Sequence, residues 1–549
     1  VSNVSVNVLP GSLPKVNILP LGRPKQDAGK KLKLLSSVTL NGAPAPVNTI
    51  YEWSLSPPTV DLTNDTYTST GIAGPSLVLL PSALTDGALY TFTLKASTPT
   101  SSGAAVATMQ VQMNRPPFGG TLVLEYAYPA QALTTKVRLS AIGWTDDDPT
   151  DLPLLYSFAY RPKRMYEEIG GVWRLIGKLV PDTMLSVASM DSVTTWRPPE
   201  GNWTTLVNVY DALGASSSAT ADMDAVPVVL TPELGAALID EVTSTGDGGD
   251  VSGGMRLAAS LAAAIQQQDQ AASAAANGGS SADGGGGNAL TLEQQAAAKE
   301  MRGKLIAFIG GGATQAAADP LLMQQTVSTM SNLVSGECSS EMLDTAAEAL
   351  LTMAGGLGSG GEMVTGTAEG MSDSINSMLA QAPTAPEGGS GATAAAPGSR
   401  RLQASVPEEV SAAVTRSESL MNTTHILGEA MANELVLGEP AALVASPGLT
   451  IRAAKESPCE NLDKELEYIQ TPALSSGLYA SLLVPPEILC EAVMAHVCPG
   501  ADINTSATIS TNSFPPNAPP SPPVQGAGTT ADVDTVDLSV TVVVALLNN

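Results

Sequence analysis

All five tryptophans of this 549-residue chain lie before residue 204, and this segregation constrains the fold more than any other feature. Charge is divided in the same way. Residues 1–200 carry 16 Lys and Arg against 15 Asp and Glu, whereas the remainder carries 10 against 38. The first part is aromatic and nearly neutral, and the second is acidic, rich in Ala and Gly and poor in aromatic residues. The chain is long enough for several domains, and these compositions indicate two physically different regions.

Aromatic residues alternate at period two in the first region, which is typical of half-buried strands. Tyr156, Phe158 and Tyr160 share one face of such a strand. The run from Leu84 to Tyr90 resembles the tyrosine corner of immunoglobulin-like sandwiches, in which a phenol bonds the backbone. The pattern after Trp203 repeats the pattern after Tyr90, and this offset of 113 residues is one sandwich length. We therefore predict tandem β-sandwiches of the immunoglobulin or fibronectin type III kind.

An acidic loop precedes the aromatic strand and is the strongest candidate for a binding site. It holds four carboxylates within six residues, in a stretch that Pro149 and Pro153 keep out of regular structure. Calcium takes six to eight oxygen ligands. We therefore predict that Asp146, Asp148 and Asp151 are calcium ligands, while Asp147 points outward because adjacent side chains diverge. The alternative interpretation is a solvated polar loop that binds nothing.

Several motifs of the first region occur in a characteristic order. A Tyr51-x-Trp53 strand comes first, then a Leu…Gly…Tyr strand, the linker Asn114-Arg-Pro-Pro, and Gly143-Trp-Thr-Asp before the aromatic strand. In this order they resemble the REJ (receptor for egg jelly) module of polycystin-type receptors, over about residues 28–230. The resemblance implies an extracellular module at the cell or ciliary surface, which acts in adhesion, ligand or force reception and couples to a polycystin-type cation channel.

Helical periodicity begins at Thr231-Pro232-Glu233, a helix cap with proline at the first helical position. We predict helices over residues 232–243, 254–276, 291–310, 320–335, 340–354, 362–380 and 407–436. The glycine run 284–287 predicts a flexible linker. Strands return after Pro440. This order resembles a GAIN domain, with a helical subdomain and then part of a β-subdomain, although the cysteine- and tryptophan-rich cleavage motif of such domains is missing, so autoproteolysis is not assigned.

These patterns divide the chain into five parts. The predicted order is an irregular lead-in (residues 1–27), a first REJ-like sandwich (28–115), a second (116–230), a helical region with flexible Gly-rich loops (231–437), and a partial β-subdomain with a Pro-rich linker (438–549). We expect the chain to be a piece of a longer protein. Its sequence contains no apolar run of roughly 18 residues, the length that a membrane span requires.

The sequence offers little that could support catalysis. It contains only two histidines, His425 and His496, and lacks the motifs of nucleophilic, phosphate-binding and zinc enzymes. We therefore predict a protein that is not an enzyme and has no cofactor other than calcium. The acidic balance argues against nucleic acid and against anionic lipid. Expected partners are a protein or glycan ligand, together with a polycystin-type channel. The alternative is a structural glycoprotein that contacts the subunits of an extracellular or ciliary filament.

Residues typical of secreted proteins are also present. The sequence contains four cysteines and five glycosylation sequons, at Asn3, Asn64, Asn202, Asn422 and Asn504. The seven residues between Cys490 and Cys498 include no turn former. As a helix they separate the two cysteines by about 12 Å, and as a strand by roughly 26 Å, whereas a disulfide needs Cα atoms within about 7 Å. We therefore predict that this pair is not bonded. Cys459 is expected to take one of them, and Cys338 to take the other or to stay free.

Overall fold

A β-rich part is followed by a helical part and a small sheet. The computed structural model describes residues 13–44, 48–99, 101, 103–164, 166–169, 172–175, 182–277, 292–358, 366–381, 408–436, 438–446, 449–456, 503–510 and 543–545. Cys459, Cys490, Cys498 and Asn3 therefore lie outside the described residues, as does the predicted disulfide arrangement.

The first β-sandwich packs its sheets around one apolar core. Its strands are β1 (Lys15–Ile18), β2 (Lys25–Gln26), β3 (Leu32–Leu34), β4 (Ser36–Leu40), β5 (Ala43–Pro44), β6 (Ile50–Ser56), β7 (Leu77–Leu79), β8 (Leu89–Ser97) and β9 (Ala105–Met113). The sheet β2-β9-β8-β6 faces the smaller sheets β1-β4-β5 and β3-β7. Buried Trp53 and Phe92 lie in the core between them. The predicted tyrosine corner is confirmed, because the Thr85 N–H donates to Tyr90 Oη at 3.1 Å.

The lead-in is not irregular throughout, and the prediction for residues 1–27 is wrong at two places. Strand β1 pairs antiparallel with β4, and β2 pairs parallel with β9. The sequence of this segment favours an irregular stretch because it contains four closely spaced prolines, Pro10, Pro14, Pro20 and Pro24. In the structure Pro14 and Pro24 instead directly precede the two strands, a position where the missing N–H of proline is tolerated.

The second β-sandwich is larger. Its strands are β10 (Thr121–Glu125), β11 (Ala130–Gln131), β12 (Val137–Ile142), β13 (Leu155–Pro162), β14 (Tyr166–Ile169), β15 (Val172–Leu175), β16 (Thr183–Met184), β17 (Val193–Trp196), β18 (Gly201–Tyr210) and β19 (Ser216–Val226). The sheet β11-β19-β18-β13-β16 packs against β10-β12-β17, and β14 and β15 form a separate hairpin. Tyr160 lies at the centre of the core, with its ring 4.6 Å from the Trp196 ring and 5.1 Å from that of Trp203.

Seven helices follow in the described part of the chain, each overlapping a predicted one. They are α1 (Pro232–Asp247), α2 (Val251–Asn277), α3 (Leu292–Ala318), α4 (Pro320–Val334), α5 (Ser340–Gly358), α6 (Thr367–Ala380) and α7 (Glu408–Asn433). The predicted cap of α1 is confirmed, since Thr231 Oγ1 accepts from the Leu234 N–H. Alanine, leucine and methionine side chains form the shared core. Within the described residues, no helix combines the length and apolarity needed to cross a bilayer.

A four-stranded sheet completes the described structure, in the order β20 (Ala442–Ser446), β21 (Leu449–Glu456), β22 (Ile503–Ser510) and β23 (Val543–Ala545). Its first three strands are antiparallel neighbours, and β23 runs parallel to β22. Leu449, Ile451 and Ala453 of β21 belong to the core that the helices form. The sheet therefore packs on the helical part rather than standing apart.

The second sandwich also packs on the helices. On the outer face of β13, Ala159 is buried with Leu206 and Met184 against Leu321 of α4. The prediction of a half-buried strand is therefore wrong for the middle of β13, where the four residues from Ser157 to Tyr160 are all buried. Alternation predicted one buried face, but alanine opposite the aromatic residues is small enough to accept a helix.

Candidate metal site at the sandwich junction

The linker between the sandwiches is fixed against the acidic loop by paired backbone bonds. The Phe118 N–H donates to the Thr145 carbonyl at 2.9 Å, and the Thr145 N–H donates back at 3.1 Å. Gly120 makes this approach feasible, because a Cβ at that position would lie 2.2 Å from the Trp144 ring. Beyond Thr145, a short 3-10 helix (Pro149–Asp151) forms, and Asp148 caps it by accepting from the Thr150 N–H at 2.9 Å. The acidic loop is therefore ordered by its own sequence.

Three carboxylates meet at this junction. Asp146 and Asp151 come from the acidic loop, and Asp211 comes from the turn between β18 and β19. One carboxylate oxygen from each residue lies within 4.8 Å of the other two. Both Asp151 and Asp211 are 2% exposed, and Asp146 is half-buried. Two of the three predicted ligands are thus brought together, with a third carboxylate that sequence reasoning did not include.

Asp211 is held in place by its own turn and by the linker. Its Oδ1 accepts from the N–H groups of Leu213 (2.8 Å) and Ala215 (3.0 Å). Its Oδ2 accepts from Asn114 Nδ2 at 2.6 Å. The turn is tied to the acidic loop as well, because the Ala212 N–H donates to the Asp151 carbonyl at 2.7 Å. The position of this carboxylate is therefore set before any ligand binds.

Two oxygen atoms at the site have no hydrogen-bond partner among the described residues, although both are buried. They are Oδ2 of Asp146 and Oδ1 of Asn114. The other oxygen of Asp146 accepts from the Asp148 N–H at 3.0 Å. A buried acceptor left without a donor costs about 1–3 kcal/mol. Asn114 is 1% exposed, so its unpartnered oxygen is buried on the same carboxamide whose nitrogen donates to Asp211.

The electrostatics of the cluster show an excess of negative charge. Burial raises the pKa of Asp146, and the negative charges of Asp151 and Asp211 raise it further. Burial also raises the pKa of Asp211, despite the hydrogen bonds that stabilise its charged form. Each raised pKa indicates that the protein does not fully stabilise the negative charge of the carboxylate at that position.

Asp148, the third predicted ligand, lies outside this group of three. Its Oδ2 pairs with Lys25 Nζ, and the same ammonium lies 2.7 Å from Asp151 Oδ2. The hydrogen bond from Lys25 holds the pKa of Asp148 well below its usual range. Burial lowers the pKa of Lys25, but its bonds to the two aspartates outweigh this and leave it raised. As expected, Asp147 points outward, where it pairs with Arg115.

The first sandwich thus contributes directly to the junction. Lys25 belongs to β2, and Arg23 just before it donates through Nη1 to the Leu213 carbonyl in the Asp211 turn. Sequence reasoning missed Asn114 and Asp211 as site residues. The sequence placed Asn114 in the linker and gave no sign that Asp211 lies nearby, because only the sandwich topology brings the two residues to the acidic loop.

The other predicted sites are placed as follows. Asn64, Asn202 and Asn422 have exposed side chains, and Asn504 lies in β22. Cys338 is a free thiol, and burial raises its pKa.

Comparison with known proteins relates the first part of the chain to a known domain family. The family model for the REJ domain matches residues 1–259. Human polycystin-1 is 40% identical over 98 residues, which are 18% of this chain and 2% of that protein. The chain therefore spans a very small part of this curated relative.

Similar solved structures include chicken contactin-1 FN1–FN3 domains, with 12% identity and a TM-score of 0.21 over 40% of this chain and 68% of that one. A structure of a 1.5-MDa bacterial ice-binding adhesin is 13% identical to this chain, with a TM-score of 0.19. The match covers 40% of this chain and 65% of that one. TM-scores this low do not establish a shared fold.

Proposed function

We propose that this chain, whose residues 1–259 are a REJ domain of the polycystin type, is a non-enzymatic extracellular receptor module. In this proposal it receives a protein or glycan ligand, or a mechanical force, and passes the signal to a polycystin-type cation channel. The observation that carries the proposal is that the second sandwich packs on the helices through buried side chains, while the first sandwich contacts the segment after α7. A domain that relays displacement requires such continuity, because domains joined by single linkers move independently.

The second sandwich contacts the helices through polar as well as apolar side chains. Trp196 Nε1 donates to Ser260 Oγ of α2 at 3.0 Å, inside the interface. Arg197 Nη2 donates to Glu241 of α1 at 2.8 Å. Leu133, which is 1% exposed, belongs to the core of the helical part. A displacement of this sandwich therefore acts on α1 and α2 through buried contacts.

The first sandwich contacts the segment after α7. Glu439 Oε1 accepts from Lys31 Nζ at 2.8 Å and from Ser69 Oγ at 3.0 Å, while its Oε2 accepts from the Val436 N–H. This carboxylate is 1% exposed. Because the segment leads directly into β20, the contact joins the first sandwich to the C-terminal sheet.

Further parts of the proposal concern classification and location. Each sandwich is proposed to be of the immunoglobulin or fibronectin type III kind, and the region after residue 231 to be GAIN-like. The exposed sequons at Asn64, Asn202 and Asn422 suit glycosylation at a cell or ciliary surface. Support for a non-catalytic role comes from His425, whose Nε2 lies 3.3 Å from Glu429 on the same face of α7, an ordinary pair four residues apart.

A second candidate function is a structural glycoprotein of an extracellular or ciliary filament. The observation in its favour is the sequence from Pro519 to Pro523, in which prolines and one serine predict a stiff polyproline II rod. In this alternative the sandwiches serve as spacers, and the partners are filament subunits rather than a channel.

Surface labelling and co-precipitation of the native protein test both candidates. Intact cells are treated with a membrane-impermeant biotin reagent, extracted with mild detergent, and precipitated through an epitope tag. The receptor proposal predicts a biotinylated, detergent-soluble protein that co-precipitates a polycystin-type channel. A biotinylated protein that stays in detergent-insoluble filaments without a channel supports the alternative. A protein protected from the reagent contradicts both.

A further inference from the structure

We propose that the sandwich junction binds a divalent cation, calcium, through Asp146, Asp151, Asp211 and Asn114, and that the cation fixes the linker to the second sandwich. This inference rests on the junction itself and stands apart from the proposed receptor role.

The set of side chains matches the chemistry of a hard cation. Three carboxylates and one carboxamide offer oxygen ligands only, as calcium prefers, with no thiolate or imidazole among them. Two oxygens on opposite sides of a calcium ion are about 4.6–5.2 Å apart, given bond lengths of about 2.3–2.6 Å. The carboxylate oxygens lie within 4.8 Å of one another, so a single ion at their centre is at most about 2.8 Å from each, close to the length of a calcium–oxygen bond.

The side-chain oxygen of Asn114 is independent evidence for a bound ligand. Its side chain is 1% exposed, and its Nδ2 is fixed on Asp211 Oδ2, yet its Oδ1 has no partner within the described residues. Asp146 Oδ2 is likewise buried without a hydrogen-bond partner in the described part of the chain. Both atoms are acceptors, so a donor or a cation satisfies them, and the local charge favours the cation.

Lys25 does not remove the excess of negative charge. Its single ammonium is shared between Asp148 and Asp151. Within the described part of the chain, neither Asp146 nor Asp211 forms an ion pair with a cationic side chain. Lys25 approaches Asp151 through Oδ2, which leaves Oδ1 with only a long 3.3 Å bond from Thr150 Oγ1. The lysine therefore braces the site from the first sandwich while an oxygen of Asp151 remains for the ion.

The location of the site gives calcium a mechanical consequence. Asn114 directly follows β9 and begins the linker, whereas the three aspartates belong to two loops of the second sandwich. A bound ion therefore joins the linker to both loops. Removal of calcium is expected to loosen the junction, because the carboxylates of the two loops then repel one another.

The test uses the whole chain and two metal ions as probes. Thermal unfolding is followed by tryptophan fluorescence with about 1 mM calcium, an extracellular concentration, and with chelator. Calcium is expected to raise the midpoint by several degrees. Terbium, which substitutes for calcium, is expected to show luminescence sensitised by Trp144, two residues from Asp146, and calcium to displace it. The proposal is overturned if calcium changes neither the midpoint of thermal unfolding nor the terbium luminescence.

Matched variants locate the ion. Asp146→Asn preserves the shape of the side chain and removes its charge, and is expected to weaken calcium binding by about tenfold or more, because ligand charge sets affinity. Asp147→Asn, on the neighbouring outward-facing residue, is the control and is expected to bind as the parent does. Equal losses in the two variants place calcium elsewhere and overturn the proposal.

If Asp146→Asn does not fold, terbium emission in Trp144→Phe decides, since undiminished emission contradicts this location. An equal midpoint shift from magnesium overturns the preference for calcium.

Discussion

Asn114 and Asp211, which are 97 residues apart in the chain, are joined by a hydrogen bond of 2.6 Å from carboxamide nitrogen to carboxylate oxygen. One residue begins the linker, and the other forms the turn between the two longest strands of the second sandwich. Both side chains are almost completely buried. This bond fixes where the two sandwiches meet, and it assembles an acidic site from parts of the chain that no local pattern connects.

Replacement of Asn114 by alanine tests this bond. Asp211 Oδ2 loses its described donor while remaining buried, so the variant is expected to lower the free energy of unfolding by about 1–3 kcal/mol. Chemical denaturation followed by tryptophan fluorescence measures the change. Asn17→Ala, at an exposed position of β1, is the control and is expected to change stability by less than about 0.5 kcal/mol. Equal losses in the two variants contradict a special role for the junction asparagine.

Gly120→Ala tests the close approach of linker and acidic loop. The added Cβ would lie 2.2 Å from the Trp144 ring, so the ring or the backbone has to move. Such overpacking is expected to destabilise the chain by about 1–3 kcal/mol. Gly22→Ala is the matched control, since a Cβ there meets nothing within 4 Å. Thermal unfolding compares the pair, and a Gly120→Ala variant as stable as the control would show that the tight packing is not required.

The contact between the first sandwich and the segment after α7 is tested by two glutamates. Glu439 is 1% exposed and bonded to Lys31, Ser69 and a backbone N–H. Glu439→Gln is expected to lower the free energy of unfolding by about 1–3 kcal/mol, because it weakens the hydrogen bonds that Lys31, Ser69 and the backbone donate to a buried charged group. Glu434→Gln, which removes a surface pair with Lys33, is expected to cost about 0–1 kcal/mol. Denaturation curves that reverse this order would contradict the assignment of Glu439 as the buried contact.

Fragments with different first residues test the two early strands. A fragment of residues 28–230 lacks β1 and β2, which pair with β4 and β9, whereas residues 13–230 retain them. The longer fragment is expected to unfold at the higher temperature, because the shorter one leaves β4 and β9 with unpaired edges. Calorimetry provides the comparison. Equal midpoints would show that the lead-in strands contribute nothing to the first sandwich.

The sequence predicted the elements of the fold better than their contacts. Periodicity located the seven helices, and Thr231-Pro232 marked the first helix boundary, because these signals are local. The short strands β1 and β2 were missed because four residues or fewer show no clear period. The burial of Ala159 was missed because it depends on where α4 packs.

The candidate site was only partly predictable for the same reason. Asp146 and Asp151 were found because they belong to one dense acidic loop. Asp148 was predicted as a third ligand, and nothing in the loop reveals that Lys25, on another strand, pairs with it. Asp211 joins the site only through the pairing of β13 with β18, which brings the ends of distant segments together.

The measurement that tests the central claim most directly is a crystal structure of the chain soaked with terbium, with anomalous scattering used to locate the ion. The account predicts a peak at the junction, about 2.3–2.6 Å from oxygens of Asp146, Asp151 and Asp211, with Asn114 Oδ1 turned towards it. Anomalous peaks confined to other parts of the chain, with Asn114 Oδ1 hydrogen-bonded to an ordered water at the junction, would contradict it.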